Sequence, residues 1–103
     1  MIFMGTPDFA VTILDALRQA GHQIDLVVSQ PDRPKGRGKK MQAPPVAKYA
    51  KEQQLPLIQP ASIRTEEIEE QFKTLNPDVV IVAAYGRIIP DALLAMPKYG
   101  YLN

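Results

Sequence analysis

Asp78–Ala84, DVVIVAA, is the stretch on which the fold turns. A strand with one face in water alternates apolar with polar residues. This run is apolar at every position from Val79 to Ala84, as a central parallel strand covered by helices on both faces must be. It is far too short to cross a bilayer. Upstream, Ile2–Met4 forms a second short apolar run that ends at Gly5, and GTPDFA (Gly5–Ala10) makes a strand-to-helix turn. Thr6 is placed as the helix cap, Pro7 suits the first helical position, and Asp8 favours the positive helix end. Phe9, Ile13 and Leu17 then recur at helical spacing, and Gly21 is suited to end that helix. Ile24–Val28 is the second strand.

Pro44 and Pro45 open a helix that runs to about Gln54, with Val46, Ala47 and Ala50 on its apolar side. Leu57 and Ile58 make a short third strand. Thr65 caps a further helix in which Ile68, Phe72 and Leu75 are spaced to face a sheet, while Glu66, Glu67, Glu69 and Glu70 make a solvated face. After the DVVIVAA strand, Pro90–Met96 forms a short helix, and Tyr101–Asn103 starts a fifth strand that is truncated. Strands alternating with helices define a doubly wound, mostly parallel, Rossmann-like α/β sheet. The right-handed crossover rule gives the strand order 3-2-1-4-5. In such a sheet the ligand crevice lies beyond the carboxyl ends of strands 1 and 4, where the order reverses. Gly5–Asp8 and Tyr85–Arg87 fall there, with the segment after strand 2 on one side and Asn103 on the other.

The segment after strand 2 is a long basic insertion, about residues 30–43, with the core QPDRPKGRGKK. Its prolines lack amide donors and its glycines loosen the backbone, so neither helix nor strand is expected to persist. From Asp32 to Lys40 it carries Arg33, Lys35, Arg37, Lys39 and Lys40 against one carboxylate, a formal +4. The chain is +1, so the remainder sums to −3 (1 − 4). A cationic loop of this length on a mildly acidic body suits a polyanion, although the same charges would also keep a plain surface loop solvated. Dinucleotide binding fits poorly, because the first turn has Gly5 alone in place of G-x-G-x-x-G. GRGKK is no phosphate-binding P-loop either: it lacks the Ser or Thr after the lysine and follows the wrong strand.

Composition narrows the chemistry. The 103 residues hold no cysteine and a single histidine, His22. Disulfides, thiolate zinc sites and histidine-pair metal sites are thereby excluded, and no metal is expected. His22 follows Gly21 at the amino-terminal edge of the sheet, away from the crevice, where a helix-end role is expected. The chain carries no secretory pattern and no membrane-length apolar run, so a soluble, cytoplasmic protein is expected.

GTPDFA, QPDRPKGRGKK, VAAYGRIIP (82–90) and GYLN (100–103), in this order and spacing, resemble the N-terminal part of the methionyl-tRNA formyltransferase family. The resemblance covers Ile2–Asn103 and implies that residues 1–103 are the N-terminal portion of a formyltransferase catalytic domain. Such enzymes transfer a formyl group from 10-formyltetrahydrofolate to the α-amine of methionyl initiator tRNA, without a metal, and the parent would be a monomer. The resemblance implies tRNA contacts for Arg37 first, then Lys39 and Lys40, with Arg33 and Lys35 in support. It implies that Tyr85, Gly86, Ile88 and Ile89 border the folate pocket. Asn103 matches the Asn of a catalytic set whose His lies two positions later and whose Asp is distant. An Asn N–H aimed at the oxygen of a tetrahedral centre stabilises charge as it develops, an effect worth ~10²–10³ in rate elsewhere. A chain without that His and Asp is expected to show little or no catalysis alone. Two other readings stay open: a formyltransferase acting on a small amine such as an amino-sugar nucleotide, and a non-catalytic RNA-binding module.

Overall fold

The computed structural model describes residues 1–103. Its elements in order are β1 (Ile2–Gly5), α1 (Asp8–Gln19), β2 (Leu26–Val28), β3 (Arg33–Lys35), β4 (Lys40–Gln42), α2 (Pro45–Glu52), β5 (Leu57–Ile58), α3 (Glu66–Leu75), β6 (Val80–Ala83), α4 (Asp91–Leu94) and β7 (Tyr101–Leu102). The main sheet has the order β5-β2-β1-β6-β7, and all its neighbouring strands pair in parallel. Numbered among themselves, its strands run 3-2-1-4-5, the expected arrangement.

Apolar side chains leave β1 alternately to the two faces of the sheet. Ile2 and Met4 join a cluster with Val28, Ile68, Phe72, Val80 and Leu93, under α3 and α4. Phe3 joins Ala10, Leu14, Val27, Val46 and Ala50, under α1 and α2. β6 divides its residues the same way, which accounts for its unbroken apolar character. At the end of β1, glycine is a steric requirement. A Cβ on Gly5 would lie 2.8 Å from the Ala83 carbonyl oxygen, 2.9 Å from the Phe3 ring and 3.0 Å from the Ala10 Cβ. Gly21 has φ +90°, and its N–H bonds the Arg18 carbonyl, closing α1 as expected.

Four local expectations need correction. The basic insertion is not strandless: β3 and β4 pair antiparallel as a separate two-stranded hairpin, with Arg33 opposite Gln42 and Lys35 opposite Lys40. Its tip turns through Gly36 (φ 80°) and Lys39 (φ 48°), so the glycines that argue against a strand supply the turn instead. Thr6 does not cap α1. Pro7 occupies that position without a side-chain cap bond, and the Thr6 hydroxyl instead donates to the Tyr85 carbonyl at 2.9 Å. Leu75 has the spacing of a core residue but is 37% exposed at the last turn of α3. The last helix is a single turn, Asp91–Leu94, within the expected Pro90–Met96. Thr65 does cap α3, accepting the Ile68 N–H at 3.3 Å.

Candidate functional site

The carboxyl ends of β1 and β6 open into a cavity of about 450 Å³. Thr6, Pro7, Gln30, Ala84, Tyr85 and Gly86 line it on the sheet side, and the root of the hairpin, including Arg33, Lys35 and Gln42, closes the other. The geometry converges on one atom. The Tyr85 carbonyl accepts both the Thr6 hydroxyl, at 2.9 Å, and the Gln30 side-chain amide, at 3.0 Å, which together occupy its two lone pairs. The backbone at this turn is unusual. Ala84 has φ 52° and Gly86 φ 98°, and for alanine the left-handed conformation costs on the order of 1–2 kcal/mol. Such strain persists where surrounding bonds over-determine it, and the paired bonds to Tyr85 provide that restraint.

The structure divides the residues expected at the folate pocket. The Tyr85 ring is 1% exposed within the core, so only its backbone faces the crevice. Burial raises its phenol above the ordinary value, with Arg87 pulling the other way, and its hydroxyl has no partner. Gly86 presents bare backbone, and a Cβ there would meet the Gln30 amide nitrogen at 3.4 Å. Ile88 is 80% exposed beside Arg87 on a shallow cavity of about 290 Å³ with Ala61–Arg64, whereas Ile89 packs against the core. The Arg87 guanidinium donates to the Ala61 carbonyl, tying this turn to the segment after β5. Gly86 lines the crevice and Ile88 the shallow cavity, so these two expected pocket residues face different cavities. The buried Tyr85 ring is unavailable for stacking.

Asn103 is exposed at the end of β7 and lines a separate cavity of about 380 Å³ with Phe9, Ile13, Ala83, Ala84 and Leu102. Asp8 is exposed in the first turn of α1 nearby. His22 sits past the far end of α1, its N–H bonded to the Leu17 carbonyl, and takes no part in the crevice.

The hairpin strands are exposed along their length. Only two ion pairs occur in the chain, Met1 with Asp25 and Lys73 with Glu70. Arg33, Lys35, Arg37, Lys39 and Lys40 therefore have no carboxylate partner. Asp32, the one acid in the segment, accepts the Gln59 side-chain amide at 2.6 Å instead. Gln30 and Gln59 escaped sequence reasoning. The available signal was a polar side chain just beyond the carboxyl end of an apolar strand, Gln30 two residues after β2 and Gln59 directly after β5.

The parallel sheet, the crevice at its point of reversal and the basic excursion after β2 describe a Rossmann-type domain, and comparison gives its family. The formyl transferase family profile matches residues 1–103, and the chain belongs to that family. It is 50% identical over 103 residues to the methionyl-tRNA formyltransferase of Nitrosomonas europaea, covering all of this chain and 32% of that protein. It is 52% identical over 104 residues to that of Acidobacterium capsulatum and 48% identical over 103 residues to that of Desulforamulus reducens, covering 33% and 32% of those proteins. The chain thus spans about a third of the length of the curated relatives it matches. No helix is long and apolar enough to cross a membrane.

Proposed function

We propose that this chain is the N-terminal portion of the catalytic domain of an enzyme that formylates the α-amine of methionyl initiator tRNA, with 10-formyltetrahydrofolate as donor. The observation that carries this reading is the hairpin, whose five cations lack internal partners and whose root forms one wall of the crevice. A small amine needs no such arm. A phosphodiester backbone does, and each neutralised phosphate releases counterions and steepens the salt dependence of binding.

Arg37, beside the hairpin turn, has the planar guanidinium suited to bridging phosphate and base acceptors. Lys39 and Lys40 supply phosphate contacts that add affinity without reading sequence, supported by Arg33 and Lys35. Gly86 and Ile88 border the donor, with Ile89 and the buried Tyr85 ring supporting them from the core. Amine addition to a formyl carbon places negative charge on its oxygen, and the Asn103 carboxamide N–H donates to that oxygen. The natural setting for this reaction is the cytoplasm, where translation starts.

The test is Arg37→Ala in the full-length protein. The expected result is a fall of roughly 5–150-fold in kcat/KM for charged tRNA, corresponding to ~1–3 kcal/mol for a lost bidentate contact. The salt slope of tRNA binding should fall by about one, as for one lost phosphate contact, with the melting temperature unchanged. An unchanged rate at sub-saturating tRNA would remove the hairpin from the reaction.

A further inference from the structure

The single amide nitrogen of Gln59 donates to two acceptors. One is the Gln30 backbone carbonyl, at 3.1 Å, and the other is the Asp32 carboxylate, at 2.6 Å. A carboxamide NH₂ has two protons, and both are used. Gln30 in turn donates through its own side chain to the Tyr85 carbonyl at 3.0 Å. A continuous polar path therefore runs from the crevice turn, through Gln30 and Gln59, to the residue immediately before β3. The other root of the hairpin is tied to the same place. The Val46 N–H at the start of α2 donates to the Thr6 carbonyl at 3.2 Å, and the Thr6 hydroxyl reaches the Tyr85 carbonyl.

We propose that Gln59 is a positioning residue, a strap that holds the first root of the basic hairpin at the edge of the crevice. Two exposed strands bury no core of their own, so the direction of the hairpin depends on its roots. The choice of partner matters as much as the anchor. An arginine or lysine bound to Asp32 would anchor the root equally well, yet would withdraw a cation from the surface offered to a polyanion. A neutral amide holds Asp32 without that loss, and the aspartate–amide bond is a charge-assisted one. Gln59 lines neither the crevice nor the cavity at Asn103, so its contribution should fall on polyanion binding alone.

The substrate part of this proposal rests on the tRNA reading above, and a proteolytic readout keeps the two separable. In the full-length protein, Gln59→Leu is expected to raise the KM for charged tRNA about 10-fold, leaving kcat and the KM for the formyl donor within about twofold. Trypsin cleavage after Lys35, Arg37, Lys39 or Lys40 should accelerate by a similar factor, because a released root exposes the hairpin to local opening. Asp32→Asn keeps an acceptor oxygen in a weaker, neutral bond, so its cleavage rate should fall between those of the wild type and Gln59→Leu. Should Gln59→Leu fail to fold, Asp32→Leu severs the same bond from the hairpin root and is read by the cleavage rate. Unchanged hairpin cleavage in the severed variant overturns the strap. So does a parallel loss of kcat and donor KM, which marks a general structural role. If the wild type formylates no tRNA, the functional reading fails, while the cleavage rates still decide the strap.

Discussion

The parallel sheet and the basic hairpin are both β-structure, and they persist for opposite reasons. Ile2, Phe3, Met4, Val27, Val28 and Val80 are fully buried, covered on both faces by helices. The hairpin residues Arg33–Lys35 and Lys40–Gln42 are all exposed, pair only with one another, and carry cations without carboxylate partners. The sheet gains its stability from area removed from water. The hairpin gains almost none that way, and is shaped by its turn and its roots. A region held by burial resists substitution, and its job is to place others. A region held by its ends and left charged is suited to complete its interactions with something outside the chain.

The largest break in this contrast should come from the core. Phe72 on α3 is fully buried against the β1–β6 face. Phe72→Ala leaves a cavity as well as losing transfer energy, and should destabilise the full-length protein by ~3–5 kcal/mol. The midpoint of urea unfolding measures it. A loss below ~1 kcal/mol would mean that α3 is not the lid this packing describes.

A smaller effect separates the two regions by pH. Tyr101 on β7 donates to the Leu93 carbonyl at 2.9 Å, and burial pushes its phenol from 10.0 up to about 12. Burial also raises Tyr85. A raised phenol holds its proton longer when folded than when unfolded. Its stabilising contribution is therefore complete below pH 10, declines as the pH rises, and is lost above about 12. After allowance for partial solvation, the Tyr101 share is on the order of 1–2 kcal/mol. Unfolding followed from pH 9 upward should show this slope, and Tyr101→Phe should flatten it. An equal slope in the variant would assign the alkaline loss elsewhere.

How far each region was legible follows from the same contrast. The strand order could be read because burial on both faces leaves an unmistakable apolar run at 79–84, and chirality restricts how such strands connect. Thr65 was legible as a cap because its partner, Ile68, is local. Thr6 has the same cap chemistry, yet a tertiary acceptor 79 residues away took its hydroxyl, and no local pattern reports that competition. The hairpin was hidden by its own turn residues, since Pro34 and Gly36 announce a break whether or not short strands flank them. Tyr85 was legible as a crevice residue only through its backbone, because the adjacent left-handed Ala84 helps set which way its ring leaves the chain. The Gln30–Gln59–Asp32 path joins polar side chains from separate loops, and polar spacing carries no period from which such a path could be read.

The smallest expected effect tests the contrast most sharply. Met41 stands opposite Pro34 in the hairpin and is 62% exposed, the one large apolar side chain on β4. If the hairpin is held only by its turn and roots, Met41 has nothing to pack into. Met41→Ser should then change the unfolding midpoint of the full-length protein by less than ~0.5 kcal/mol, as surface substitutions away from structural features do. A change near that of a buried methionine, ~2–5 kcal/mol, would mean that the hairpin lies against a further apolar surface. Its cations would then be presented by a packed platform, and the strap at Gln59 would be one restraint among several.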